Sequence, residues 1–60
     1  MKILIVEDEL HIAEMLKEML IDLGHKVVAI TKSFVEGKIA LEKNTSINFC
    51  FLDINLRTDK

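Results

Sequence analysis

Proline is absent from these 60 residues, glycine occurs twice and cysteine once. With Cys50 alone no internal disulfide can form, which fits a reducing compartment. There is no basic run or stripe and the net charge is −2, which argues against a nucleic-acid surface. Long hydrophobic runs are missing too. Only Ile3 to Val6 separates Lys2 from Glu7, too little for a secretory h-region or a membrane span, so the expected location is cytoplasmic and off the membrane. No glycine-rich loop follows that run, which disfavours nucleotide binding. The spacing of His11 and His25 matches no zinc pattern. No repeat, low-complexity segment or interdomain linker is visible. What remains is a globular composition, 50% apolar and 30% charged. A domain of this size buries only about 60% of the surface its unfolded chain exposes, and is marginal alone.

Lys2 to Val6 is an apolar run rich in β-branched residues, as in a strand buried on both faces of a parallel sheet. Glu9 to Leu23 has helical periodicity, with Ile12, Leu16, Met19, Leu20 and Leu23 on one side, Ala13 beside them, and Glu14, Lys17, Glu18 and Asp22 opposite. Gly24 stands where a helix C-cap wants a left-handed residue. Lys26 to Thr31 is a second strand. Ser33-Phe34-Val35-Glu36 fits a capping box and opens a second helix to about Lys43, with Val35, Ile39 and Ala40 inward and Gly37 a weak point. After the loop Asn44-Thr45-Ser46, Asn48 to Leu52 is a third strand, and 54–60 reads as loop or frayed tail.

The pattern β-α-β-α-β specifies an α/β fold with a parallel sheet and right-handed crossovers. Two strand orders are plausible, 1-2-3 and 2-1-3. The second is favoured because it makes the unbroken first strand central and sets the helices on opposite faces. The carboxyl ends of strands 1 and 3 then form the crevice of a topological switch point. Only that order gathers Glu7, Asp8 and Asp53, which directly follow the two strands. Neighbouring strands lie about 4.8 Å apart, so such carboxylates can share one ion. Crowded carboxylates repel unless a cation neutralises them. Mg²⁺ suits an oxygen-only site that keeps several waters. Asp8 and Asp53 are the expected direct ligands, Glu7 a ligand through water, and the backbone carbonyl of Asn55 a further one. Asp53 stands alone at its strand end and is the better nucleophile toward phosphorus, forming an acyl phosphate.

Ile3-Leu4-Ile5-Val6-Glu7-Asp8-Glu9, followed much later by Phe51-Leu52-Asp53-Ile54-Asn55-Leu56, resembles the receiver domain of two-component response regulators. Gly24 and the helix before it sit where that family has them. The likeness covers the chain to about Leu56 and implies a truncated flavodoxin-like fold, with residues 1–60 a partial receiver domain. It implies that Asp53 accepts a phosphoryl group from a sensor histidine kinase, with Glu7 and Asp8 holding Mg²⁺. Such a chain is a regulatory acceptor, not an enzyme. After Asp53 many members carry Met-Pro-Gly, where this chain has Leu56-Arg57-Thr58. The hydroxyl residue ending the family's fourth strand and the lysine ending its fifth have no counterpart, so the family's signalling output does not carry over.

With a single helix per face, the apolar third strand is expected to keep an open edge, so that the chain either self-associates, as a two-fold pair with a six-stranded sheet or a higher assembly, or folds poorly alone. Plainer roles stand beside the chemical ones. Asp8 also suits a helix N-cap, Glu9 a helix-dipole partner and Asn55 a turn. Cys50 is expected to be a buried small hydrophobe and the methionines core filler. His11 is expected on a solvated helix face and His25 in the loop after the C-cap. Two other functions compete with the acceptor module. One is a non-catalytic oligomerising piece of receiver ancestry. The other is a Mg²⁺-dependent phosphatase of the haloacid-dehalogenase kind, which Asp53-Ile54-Asn55 weakly resembles.

Overall fold

Strands and helices alternate in the order β1 (Lys2–Val6), α1 (Leu10–Asp22), β2 (Lys26–Thr31), α2 (Phe34–Lys43) and β3 (Phe49–Leu52). The computed structural model describes residues 1–52, so Asp53, Asn55 and the expected tail at 54–60 lie outside the described residues. The strands form one parallel sheet in the order β2-β1-β3. β1 is central, and Ile3, Leu4, Ile5 and Val6 are all buried.

Successive residues of a strand point to opposite faces. Ile3 and Ile5 point to α1, where they meet Ala13 and are flanked by Leu16, Leu20, Val27, Ile30 and Phe51. Leu4 and Val6 point to α2, where their side chains surround Gly37. One helix therefore covers each face. The chain steps from β1 out to β2 and then back across to β3. Direction and face reverse together, so both crossovers have the same hand.

β2 carries a bulge. Ile3 pairs with Val27 and Leu4 with Ala29, leaving Val28 without a partner on β1. The extra residue resets the alternation. Val27 and Ile30, three apart, both reach the α1 face, while Thr31 faces α2. In the uninterrupted run Val27-Val28-Ala29-Ile30 no polar residue betrays the shift.

The inward faces of both helices differ from the sequence expectation. On α1 the contact stripe is Ala13, Leu16 and Leu20, while Ile12, Met19 and Leu23 are exposed. Small Ala13 lets the helix close on β1, and Ile12, Met19 and Leu23, which lie about 50–90° around the helix from the middle of that stripe and all to one side, miss the sheet. On α2 Val35 is 70% exposed and Ile39 is exposed, whereas Gly37 is buried and Ala40 half-buried. Val35 and Ile39 each lie two residues from Gly37, about 200° around the helix. Among the described residues neither helix backbone comes close to β3, and only Phe51 of that strand packs on the cluster of Ile3, Ile5 and Ala13. Cys50 is accordingly exposed and not a buried hydrophobe. Met1, Met15 and Met19 are exposed and fill no core.

The helix ends follow local chemistry. Gly24 has φ +93°, its N–H donates to the Ile21 carbonyl, and the His25 N–H donates to that of Leu20. These two bonds make a Schellman cap. At α2 the Ser33 Oγ accepts from the Glu36 N–H at 3.2 Å, half of the expected capping box. The Glu36 carboxylate returns one residue further, to the Lys32 N–H at 3.1 Å.

Candidate functional site

The residues that follow the strands collect at the carboxyl edge of the sheet. Glu7 comes directly after β1 and is 3% exposed. Its N–H donates to the Thr31 carbonyl at 2.9 Å, carrying the β1–β2 ladder one residue past Val6. Its Oε2 accepts from the Glu9 N–H at 3.0 Å. A buried carboxylate is tolerated only with such partners. This one leans on the N-cap of α1, the positive end of the helix.

Asp8 is exposed. It is not the N-cap of α1: Glu9 holds that position, without a side-chain cap bond. The chain needs one residue more than the sequence suggests to turn from β1 into the helix, because the Glu7 carboxylate already holds the Glu9 N–H. A cleft of about 170 Å³ opens beside the pair, lined by Glu7, Asp8, Leu10, Ala13, Ile30 and Lys32.

On the other side of β1, Leu52 pairs with Val6 in register. Each of these two residues is followed in sequence by an acidic residue. Among the described residues no group of three or more His, Cys, Asp or Glu side chains is placed to hold a metal ion. The expected set has two described members, Glu7 and Asp8. Both offer hard oxygen donors, the chemistry that a Mg²⁺ site needs.

Two residues at this edge have no place in the sequence reading. Lys32 follows β2 as Glu7 follows β1, and it lines the same cleft as the two acidic residues. The Lys32 N–H donates to the Glu36 carboxylate and the Glu36 N–H donates to Ser33 Oγ, and these two bonds fix the loop that carries Lys32. The strand order gives the signal that finds it, since every residue just past a parallel strand joins this edge. Thr31 ends β2, and its Oγ1 is buried without a hydrogen-bond partner among the described residues.

Among the described residues no helix is long and apolar enough to cross a membrane. Comparison with protein-family models, with curated proteins and with solved structures finds no match to this chain.

Proposed function

We propose that the chain is a receiver-type phosphoacceptor module of flavodoxin-like fold, cytoplasmic, that takes a phosphoryl group from a sensor histidine kinase onto Asp53. The observation that carries this reading is the register of Val6 with Leu52 on adjacent parallel strands. Directly behind them in sequence come Glu7-Asp8 and Asp53. Acidic residues after a buried strand and after its parallel neighbour, at a switch point, suit phosphoryl chemistry and add nothing to a core.

In the transfer, a carboxylate oxygen of Asp53 forms the new P–O bond. The P–N bond of the donor phosphohistidine breaks, and the imidazole nitrogen keeps the electron pair and takes a proton. Asp8 and Asp53 would ligate Mg²⁺ directly, Asn55 through its backbone carbonyl and Glu7 through a water. The bond from Glu7 to the Glu9 N–H supports that indirect role. Bound there, Mg²⁺ neutralises the crowded carboxylates and the charge of the transferring group.

The test is intact-mass measurement after incubation with Mg²⁺ and a small acyl-phosphate donor. One added phosphoryl group is expected on the parent, none on Asp53→Asn, and none on the parent when a chelator removes the metal. An unmodified parent sinks the proposal. A second reading, a sheet that self-associates without accepting phosphate, is favoured by β3, where Phe49 and Leu52 are exposed and neither helix backbone comes close among the described residues. Turnover of a generic phosphomonoester would support the phosphatase alternative over both.

A further inference from the structure

Among the described residues the sheet has two open edges, and they are built differently. β2 carries an exposed lysine, Lys26, and the bulge at Val28. Charge and irregular backbone are the two common ways of blunting an edge strand against another chain. β3 has neither. It pairs with β1 in unbroken register, and 48–52 contains no charged residue. Among the described residues neither helix backbone comes close to it; Phe51 packs on the core cluster, while Phe49, Cys50 and Leu52 are exposed. An edge strand presents backbone N–H and C=O groups that another strand satisfies directly.

We propose that β3 is the dimer strand of this chain, pairing antiparallel with β3 of a second copy about a two-fold axis through Cys50. A second copy suits the edge because no like charges meet when the strand is laid against itself. Parity then limits the register. A two-fold axis perpendicular to the sheet keeps each face on its own side, so paired residues must share a face. Phe49 and Phe51 lie on the α1 face, Cys50 and Leu52 on the α2 face. The axis must therefore pass through Cys50 or through Phe51. Among the described residues the Phe51 axis opposes Phe51 to itself, Cys50 to Leu52, and leaves Phe49 beyond the pairing. The Cys50 axis opposes Phe49 to Phe51 twice on one face, Asn48 to Leu52, and Cys50 to itself. Cross-strand aromatic pairs stabilise a sheet, and the Cys50 axis makes two of them where the Phe51 axis makes one, so the Cys50 axis wins. The resulting sheet has the order 2-1-3-3-1-2, with both α1 helices on one face. The proposal stands whether or not Asp53 accepts a phosphoryl group.

Directly opposed residues of antiparallel strands have Cα atoms about 4.5–5.5 Å apart. A disulfide needs about 4.4–6.8 Å. Cys50 thus reports on its own register. Light scattering across a concentration series should give twice the chain mass. Diamide, itself reduced to the hydrazine as it takes two electrons and two protons from the thiols, should link Cys50 to Cys50 far faster in native buffer than in urea. Cys50→Lys alone and Cys50→Glu alone should each run as monomers, and an equimolar mixture of the two should recover the doubled mass. That recovery also proves both variants folded. A parent that stays monomeric, linking no faster than in urea, or a Cys50→Lys chain as dimeric as the parent, each overturns the proposal.

Discussion

On one face of the sheet the helix is held by side chains, and on the other by the lack of one. α1 meets β1 through Ala13 against Ile3 and Ile5, with Leu16, Leu20, Val27, Ile30 and Phe51 closing around them. α2 meets β1 through Gly37. A Cβ there would stand 2.9 Å from Val6 Cγ2, 3.3 Å from Thr31 Oγ1 and 3.8 Å from Leu4 Cδ2. The first face stores its stability in buried apolar area. The second stores it in close backbone approach, with little area and no spare room. The two should therefore respond to opposite kinds of change, truncation on the α1 face and addition on the α2 face.

The largest effect belongs to truncation at Ile5, which is fully buried between the layers. Ile5→Ala loses transfer energy and leaves a cavity, a cost of about 2–5 kcal/mol. Chains of this length hold roughly 3–9 kcal/mol in all. Urea denaturation followed by circular dichroism should show the transition shifted to low denaturant or already lost in buffer. A loss below about 1 kcal/mol would mean that the α1 face is not the main core.

Addition at Gly37 is next. Gly37→Ala gains about 1 kcal/mol of helix propensity in α2. It also forces a methyl against Val6 Cγ2, a short β-branched group packed in the core that cannot swing away. Overpacking of this kind costs about 1–3 kcal/mol. The net expectation is a loss of about 1 kcal/mol by the same urea assay. A gain would show that α2 can lift off the sheet without cost. Gly24→Ala isolates the other reason for a glycine. Nothing lies within 4 Å of an added Cβ there, but φ is +93°. Its cost, about 1 kcal/mol, is backbone strain alone. Asparagine tolerates that conformation, so Gly24→Asn should recover part of the loss, while Gly37→Asn should be worse than Gly37→Ala.

These contrasts also mark how much was legible in the sequence. Strand positions, Gly24 as a cap and Ser33 as an N-cap were readable because each depends on residues within a few positions. The order 2-1-3 was readable less from apolar content, which β2 and β3 nearly match, than from the acidic residues that follow strands 1 and 3 in sequence, which only that order brings to one edge. The inward faces of the helices were not. The apolar positions of α1 are wider than the strip of sheet it touches, and periodicity does not say which of them the sheet reaches. Gly37 was read as a propensity defect because propensity is local, whereas its value is a contact with Leu4, Val6 and Thr31. At the site, Glu7 and Asp8 stood out as acids after a buried strand. Lys32 did not, since one lysine after an apolar run looks like any solvated charge until the strand order gives it neighbours.

Thr31 tests the tightness of the α2 face with the opposite sign. Its hydroxyl is buried beside Gly37 and has no hydrogen-bond partner among the described residues. A buried hydroxyl without a partner costs about 1–3 kcal/mol of desolvation. Thr31→Val replaces that oxygen by a methyl of similar size and leaves the Thr31 carbonyl free to accept from the Glu7 N–H as before. Valine also suits a strand at least as well as threonine. The methyl is slightly larger and meets the same tight contact at Gly37, so the gain should stay below about 1 kcal/mol, a rise of a few degrees in Tm by calorimetry. A loss of similar size would mean that the contact at Gly37 is too close for any methyl. In that case Gly37→Ala and Thr31→Val should be strongly non-additive, because each would press on the same space.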